Sequence, residues 1–448
     1  MLSIDYIRKN TDKVRENILD RGLSLDKLEE LLIVDKKRSE LIESQSSINR
    51  RRNEIASILK NKKDDTLIEE GRSLKIQRDI IDKELNVIEE EYQNLLYWIP
   101  NIFQDEMPKG EGEEDNVEIY AWTPKDKELD KKLLGKNNKS KSHMPSMPIN
   151  SKKDFILKDH IELGEMNDII DIKQSAKVSG SRFSYIKKEG VILQWALASF
   201  LSQKLIKEGF YPINPPLLVK EKALFGTSHF PVDQDQVYQV DSSKIEDNNK
   251  LYLVGSSEPT NFSYFMDKIL DSLPHKFFAN TVCFRTEVGS WGKDVRGIKR
   301  VHQFDKLELA VVTHPDKSND AFYELLDINK WFWESLEIPF HVILKCRKDS
   351  GYYASSLQAD IETWLPSQKT FMEVGTCTNT TDYQARRLNI RYKDSNGKLQ
   401  YAHTINDTGV ALGRALITLI DNYQQEDGSI IIPSVLRPYT GFDIIKKN

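Results

Sequence analysis

The chain has 448 residues, of which 30% are charged, and a net charge of -5. Its three cysteines make no disulfide framework, no Cys/His cluster has zinc-ligand spacing, and no apolar run approaches the roughly 18 residues of a membrane helix. Length alone suggests two or three domains, and the weak acidity neither advertises nor excludes nucleic-acid binding, which depends on where charge sits. The start, Met1-Leu2-Ser3-Ile4-Asp5-Tyr6, soon carries acids, so neither a signal nor a transit peptide is expected, and the expected compartment is a reducing cytoplasm.

From about residue 28 to residue 100, helix formers dominate and no proline occurs before Pro100. Val34, Leu41, Ile48 and Ile55 recur every seven residues, and so do Leu74, Ile81, Ile88 and Leu95, with Leu85, Tyr92 and Ile99 between them. That is an a/d seam, weakened on its first half by Arg38, Gln45 and Arg52. A charged turn, Asn61-Lys62-Lys63-Asp64-Asp65, joins the halves. The pattern predicts an antiparallel helical hairpin with arms of roughly 45–50 Å at 1.5 Å per residue. A dimerisation coiled coil or part of a bundle would show the same periodicity. Residues 101–150, rich in Pro, Gly, Lys and charge, read as a linker or surface loops.

Further on, a helix around Val191–Glu208 runs into Gly209-Phe210-Tyr211-Pro212, a short strand that proline confines to an edge or end. Gly255-Ser256-Ser257-Glu258 then offers hydroxyls and a carboxylate suited to an amino group. Phe284-Arg285-Thr286-Glu287 and His302-Gln303-Phe304-Asp305-Lys306-Leu307-Glu308 read as two strands flanking a polar, glycine-studded loop. Arg285 can neutralise a phosphate that gains charge in a transition state. Phe304 can stack on a base. Phe304 and Glu308 share one strand face by the period of two. In Glu373-Val374-Gly375-Thr376, Glu373 and Thr376 are oxygen ligands of a type that suits magnesium. Finally Asn406-Asp407-Thr408-Gly409 leads to Arg414 at the start of an amphipathic helix, where a phosphate would also meet the helix N-terminus. Neither a Gly-x-x-x-x-Gly-Lys-Ser/Thr loop nor a strand-bound Gly-x-Gly-x-x-Gly occurs, which argues against ATP handling by those routes.

In this order, the segments resemble motifs 1, 2 and 3 of class II aminoacyl-tRNA synthetases, and the loop after Glu287 is similar to that of the seryl-tRNA synthetase family. The resemblance runs from the N-terminal arm to Tyr439. It implies an α+β fold: a catalytic domain over 151–448 with a six- or seven-stranded, mostly antiparallel sheet flanked by helices, and a tRNA-binding helical arm over 1–100. It implies that Arg285, Thr286, Glu287, Phe304, Glu373, Val374, Gly375, Thr376 and Arg414 hold ATP with Mg2+ on Glu373 and Thr376. Ser256, Ser257, Glu258, Arg285, Glu308, Asn406 and Thr408 would hold L-serine, with Arg285 and Arg414 carrying the charge of the reaction. Arg296, Lys299 and Arg300 are secondary candidates for distal phosphates or the tRNA 3′ end. Near the arm's tip, Arg50, Arg51, Arg52, Lys60, Lys62 and Lys63 would meet tRNA phosphates in a salt-dependent, weakly sequence-specific way.

The expected partners are tRNA(Ser), with a selenocysteine tRNA as a further acceptor, and a second copy of the chain in a homodimer whose interface includes the motif 1 strand. Three places depart from the family pattern: Ser-Ser-Glu at 256–258 for Thr-Ala-Glu, Gly375 for a serine, and Leu357-Gln358-Ala359 for Lys-Thr-Tyr. Two rival readings are a ligase that loads a carrier protein, which generally lacks the arm, and a catalytically inactive paralogue serving as an RNA-binding or structural dimer partner.

Overall fold

The computed structural model describes residues 1–60, 62–124, 155–241, 250–289 and 296–446. By its internal contacts the chain divides into two compact units, Met1–Pro100 and Asn101–Asn448.

The first unit opens with two short helices, α1 (Ile4–Lys9) and α2 (Thr11–Asp20), and continues into the long pair α3 (Asp26–Leu59) and α4 (Asp65–Tyr97). At 1.5 Å per residue, each long helix extends about 50 Å. Asp64 caps α4 by accepting from the Thr66 and Leu67 amides, which satisfies donors that the turn would otherwise leave open. The expected seam closes near the base, where Val34, Ile88, Tyr92 and Leu95 are buried. The polar seam positions are not simple interruptions. Arg38 reaches Glu89 (2.8 Å) and its guanidinium lies over the Tyr92 ring at 4.7 Å. Gln45 donates to Asp82 (2.7 Å). Two helices alone cannot enclose a continuous seam, so polar pairs interrupt apolar contact along the middle, and the seam is buried again at Ile55.

The second unit is built on an eight-stranded sheet. Its strands are β1 (Val117–Trp122), β2 (Tyr211–Pro212), β3 (His275–Phe284), β4 (Gln303–Thr313), β5 (Phe340–Leu344), β6 (Leu357–Leu365), β7 (Thr370–Asn379) and β8 (His403–Ala411). They lie in the order β1-β5-β6-β7-β8-β4-β3-β2. All neighbours are antiparallel except β2, which runs parallel to β3. The expected count of six or seven is therefore too low. Six strands form the body, and each edge adds one short strand. β2 ends at Pro212, which has no N–H to extend the ladder. β1 lies within the stretch expected to be a linker. Its Val117 and Ile119 are exposed, so it lacks the apolar signal of a buried strand. Tyr120 and Trp122 at its other end pack against Phe340 in the core, and Glu118 meets His341 Nδ1 at 2.9 Å while His341 Nε2 meets Glu362 at 2.8 Å. Burial works against protonating His341, but the two carboxylates outweigh it and raise its pKa above the usual imidazole value.

Helices α5 (Glu189–Lys207), α6 (Glu258–Ser263), α7 (Ser318–Ser335), α8 (Tyr383–Leu388) and α9 (Leu412–Tyr423) accompany the sheet. Strand alternation sorts the two faces. Leu307, Leu309 and Val311 of β4 enter the main core with Leu197 and Leu201 of α5, Phe322 and Leu325 of α7, and Leu416 and Ile420 of α9. Ala310 and Val312 point the other way, into a smaller core with Phe262, Ala385 and Leu388. The rest of that second face is left for the site.

If the polar seam pairs cost the arm stability, the double substitution Gln45→Leu with Asp82→Leu should stabilise it by about 1 kcal/mol through buried apolar area. Slower amide hydrogen exchange across both helices of the full chain would register the gain; unchanged exchange would contradict it.

Candidate active site

The second face of the sheet carries a cavity of about 720 Å³. Phe304, Lys306 and Glu308 rise into it at alternate positions of β4, and Asn406 and Thr408 rise from the neighbouring β8. The register slips by one residue between Leu307 and Glu308, where Gly409 bulges out of β8. A Cβ on Gly409 would come within 2.3 Å of Leu309 in the core. Glycine is thus required for the bulge that sets Thr408 opposite Glu308.

The cavity floor is charged yet closed to solvent. Lys306 Nζ lies 2.5 Å from Glu308 Oε2, with side-chain exposures of 7% and 2%. Lys306 also donates to Ser256 Oγ (3.1 Å) and Thr408 Oγ1 (3.4 Å), and Thr408 donates to Glu308 (3.4 Å). A buried ion pair with its remaining hydrogen-bond capacity partly met is tolerable, whereas either member alone would be strongly destabilising. Asn406 Oδ1 is buried with no hydrogen-bond partner. It is an acceptor that a bound hydroxyl would satisfy.

At one end, Arg285 lies at the mouth. Its guanidinium sits 5.4 Å from the Phe304 ring centroid, and its Nε donates to the Gly255 carbonyl (3.1 Å). Glu287 holds a left-handed backbone (φ 55°) and faces Arg300 at 3.7 Å. Across the cavity, Arg414 Nη1 donates to the Glu373 carbonyl (2.8 Å) and carboxylate (3.0 Å). Thr376 donates to Asp360 (2.8 Å). Burial, then the charge of Glu373, raises the Asp360 carboxyl to about 7, against the pull of Lys345 and Thr376.

Glu258, three residues past the Gly255 carbonyl that Arg285 meets, is buried. Its Oε1 accepts from Gln384 Nε2 (2.7 Å) and the Tyr352 hydroxyl (2.9 Å). Gln384 is itself oriented, because its Oε1 accepts from Thr404 (2.9 Å). Burial raises the Glu258 carboxyl to about 7, with Glu308 adding to the rise and Gln384, Tyr352 and Lys306 opposing it.

The structure thus brings Ser256, Glu258, Arg285, Glu287, Phe304 and Glu308 to one cavity with Glu373, Val374, Gly375, Thr376, Asn406, Thr408 and Arg414. Arg300 and Lys299 also line it. Arg296 does not, nor do two of the residues expected to hold ATP or serine. Ser257 is fully buried, and its hydroxyl accepts from Asn261 Nδ2 at 3.3 Å, inside the first turn of α6. Thr286 donates to the Asp235 carbonyl at 2.5 Å and serves the adjoining turn. In the arm, Arg51 is engaged by Glu70 (2.7 Å) and Glu54 (3.2 Å), while Arg50, Lys60, Lys62 and Lys63 are exposed. Loop residues Ser290–Val295 lie outside the described residues.

Sequence reading gave no role to Lys306, His229, Tyr352, Gln384 or Asp360. Only Lys306 carried a local signal, since it sits midway between Phe304 and Glu308 on one face. His229 and Tyr352 reach the cavity from separate segments, and Gln384 and Asp360 stand behind it, bonded to Glu258 and Thr376.

The departures at 375 and 357–359 now have surroundings. A Cβ at Gly375 would sit 2.7 Å from the Thr408 carbonyl oxygen, so β7 and β8 approach more closely here than a side chain permits. Ala359 is buried in the main core, and Gln358 lines the cavity while accepting from Ser350 (2.6 Å).

Residues 238–423 match the family model described as tRNA synthetase class II core domain (G, H, P, S and T). The fold is that of a class II aminoacyl-tRNA synthetase. Residues 1–103 match the Seryl-tRNA synthetase N-terminal domain, and the chain is 36% identical to the serine–tRNA ligase of Dictyoglomus thermophilum, covering 100% of this chain and 99% of the relative. The chain belongs to the seryl-tRNA synthetase family. It is also 37% identical to the serine–tRNA ligase of a Hydrogenobaculum species, over 98% of this chain and 99% of that one. Among solved structures it is similar to seryl-tRNA synthetase from Pyrococcus horikoshii complexed with ATP, with a TM-score of 0.87 and 32% identity over the whole of both chains. The cytoplasmic serine–tRNA ligase from Naegleria fowleri in complex with AMP matches at a TM-score of 0.80 and 25% identity, over 98% of this chain and 96% of that one.

Restoring the family residue with Gly375→Ser should destabilise the protein by about 1–3 kcal/mol, because the added atoms meet backbone that is pinned in a sheet. A denaturant titration of the two proteins measures the difference, and equal midpoints would show that β7 and β8 can separate at no cost.

Proposed function

We propose that the chain attaches L-serine to tRNA(Ser) in two steps, the first of which consumes ATP. The observation that carries this reading is a single cavity that holds both an arginine stacked over an aromatic ring and a buried, hydrogen-bonded carboxylate. In the first step a serine carboxylate oxygen attacks the α-phosphorus of ATP. The new O–P bond gives seryl-adenylate as pyrophosphate leaves. In the second, a hydroxyl of the tRNA's terminal adenosine attacks the serine carbonyl carbon and AMP departs.

No side chain need act as acid or base in the first step. Its barrier falls through positioning and charge stabilisation. Arg285 meets the α-phosphate and the reacting carboxylate, Phe304 stacks on the adenine, and Arg414 holds the γ-phosphate. Glu258 takes the serine ammonium, and Glu308, Asn406 and Thr408 take its hydroxyl end. Rejection of alanine follows, because Asn406 would keep an unsatisfied acceptor. Magnesium, when bound, neutralises phosphate charge. Among the described residues no group of three or more His, Cys, Asp or Glu is placed to hold a metal ion. A magnesium ion that takes most of its oxygens from ATP and water needs only the Glu373 carboxylate and the Thr376 hydroxyl.

The arm would carry tRNA(Ser) by phosphate contacts near its tip, with a selenocysteine tRNA as a second acceptor. Homodimer formation through α5 and β2 is supported by Trp195, exposed to 66%, and Ile206, exposed to 55%, on α5. No helix among the described residues is long and apolar enough to cross a membrane, and the working compartment proposed is the cytoplasm. The inactive-paralogue reading is disfavoured by the retention of Arg285, Glu287, Glu308, Glu373 and Arg414.

ATP–pyrophosphate exchange should depend on L-serine and fail with alanine. Absence of exchange with every amino acid would sink the enzyme reading. Deleting residues 30–98 should leave exchange near normal and abolish tRNA charging, and loss of exchange would instead assign the arm a supporting role in the core. Because the Glu258 carboxyl is raised to about 7, it is protonated below that pH and cannot pair an ammonium. The KM for serine should therefore fall as pH rises through 7, while a flat profile would remove Glu258 from that role.

A further inference from the structure

His229 lines the same cavity, and neither the sequence nor the comparisons assign it a role. It follows Ser228, whose backbone is left-handed (φ 72°) and whose hydroxyl is buried with no partner. Such a conformation costs a non-glycine residue energy and persists where surrounding structure enforces it. The turn aims the His229 ring at Glu258, with Nε2 4.0 Å from Glu258 Oε2. That is too long for a hydrogen bond.

The hydrogen bonds on the far side assign the tautomer. Thr227 Oγ1 donates to the Ala223 carbonyl (3.1 Å) and lies 2.9 Å from His229 Nδ1. With its proton committed to the carbonyl, the Thr227 oxygen accepts from Nδ1–H. Nε2 then presents a lone pair. Burial, reinforced by the charges of Arg285 and Lys306, pushes His229 down to about 3, so the ring stays neutral. Glu258 Oε1 is occupied by Gln384 and Tyr352, whereas Oε2 accepts from no described residue. Two acceptors therefore converge with no donor between them. Asp233, Arg285, Lys306, Glu308 and Tyr352 are the other titratable groups near this corner.

We propose that His229 Nε2 and Glu258 Oε2 together bind the α-ammonium of the amino-acid substrate. An ammonium nitrogen about 2.8 Å from each would direct two of its three N–H groups along both contacts. This rests on the serine-activating reading above. It makes His229 a substrate-binding residue for the amino group alone, separate from the groups that hold the nucleotide.

The test is pyrophosphate exchange by the full-length protein carrying His229→Phe, with His229→Ala read instead should the phenylalanine variant fail a thermal melt. The KM for L-serine should rise at least tenfold and that for ATP should stay within twofold. Inhibition by L-glycerate, which has a hydroxyl in place of the ammonium, should be unchanged. His229→Gln, which keeps an acceptor, should recover most of the lost serine affinity. A serine KM within twofold of the parent, or a glycerate inhibition constant that weakens in step with it, would overturn the assignment. Absence of serine-dependent exchange in the parent protein would instead refute the underlying reading.

Discussion

A lysine and a glutamate two residues apart on β4, both nearly sealed from solvent, set the terms for the rest of the catalytic unit. Lys306 and Glu308 share a face by strand alternation, and their head groups meet at 2.5 Å. Neither charge could be buried singly at acceptable cost. The pair persists because Ser256 and Thr408 arrive from other strands and loops to complete its hydrogen bonding. Those arrivals depend on further constraints. Thr408 faces Glu308 only through the Gly409 bulge. Ser256 reaches Lys306 from the turn before α6, whose first residue is Glu258. The floor of the cavity and its amino-acid corner are thus one connected polar assembly.

The opposite face of the same strands explains why that assembly can be rigid. Leu307, Leu309 and Val311 anchor β4 in the main core between α5, α7 and α9. Close packing leaves the strand little freedom to slide, so its upward residues are held in fixed positions. Positioning and charge stabilisation are what activation of a carboxylate by ATP requires, and a preformed site supplies both without reorganisation. Gly375 belongs to this argument. A sheet that lets a carbonyl approach within 2.7 Å of a missing Cβ has narrowed the gap between β7 and β8 at the wall beside Thr408.

The arm follows different physics. Its two helices have too little shared surface to hide a continuous apolar seam, and its middle is joined by Arg38–Glu89 and Gln45–Asp82 pairs. Exposed polar pairs of this kind contribute little stability each.

Periodicity and motif order determined much of this protein. The seven-residue repeat announced the helical hairpin, alternation placed Phe304 and Glu308 on one face, and the succession of short motifs marked the family. These are local properties, in which neighbours along the chain decide the outcome. What tertiary structure alone decided are matters of which distant segments meet. The edge strand β1 lay unseen in an apparent linker because only Tyr120 and Trp122 pack on the core while Val117 and Ile119 stay exposed, and a Glu118–His341–Glu362 relay adds to its hold. Ser257 and Thr286 stood beside site residues in sequence, but their hydroxyls meet Asn261 and the distant Asp235 carbonyl. His229, Tyr352 and Gln384 gather around Glu258 from segments up to 155 residues apart (Gln384 less His229, read from their positions). No spacing rule encodes such a meeting, because it is fixed by how the sheet and its loops pack in three dimensions.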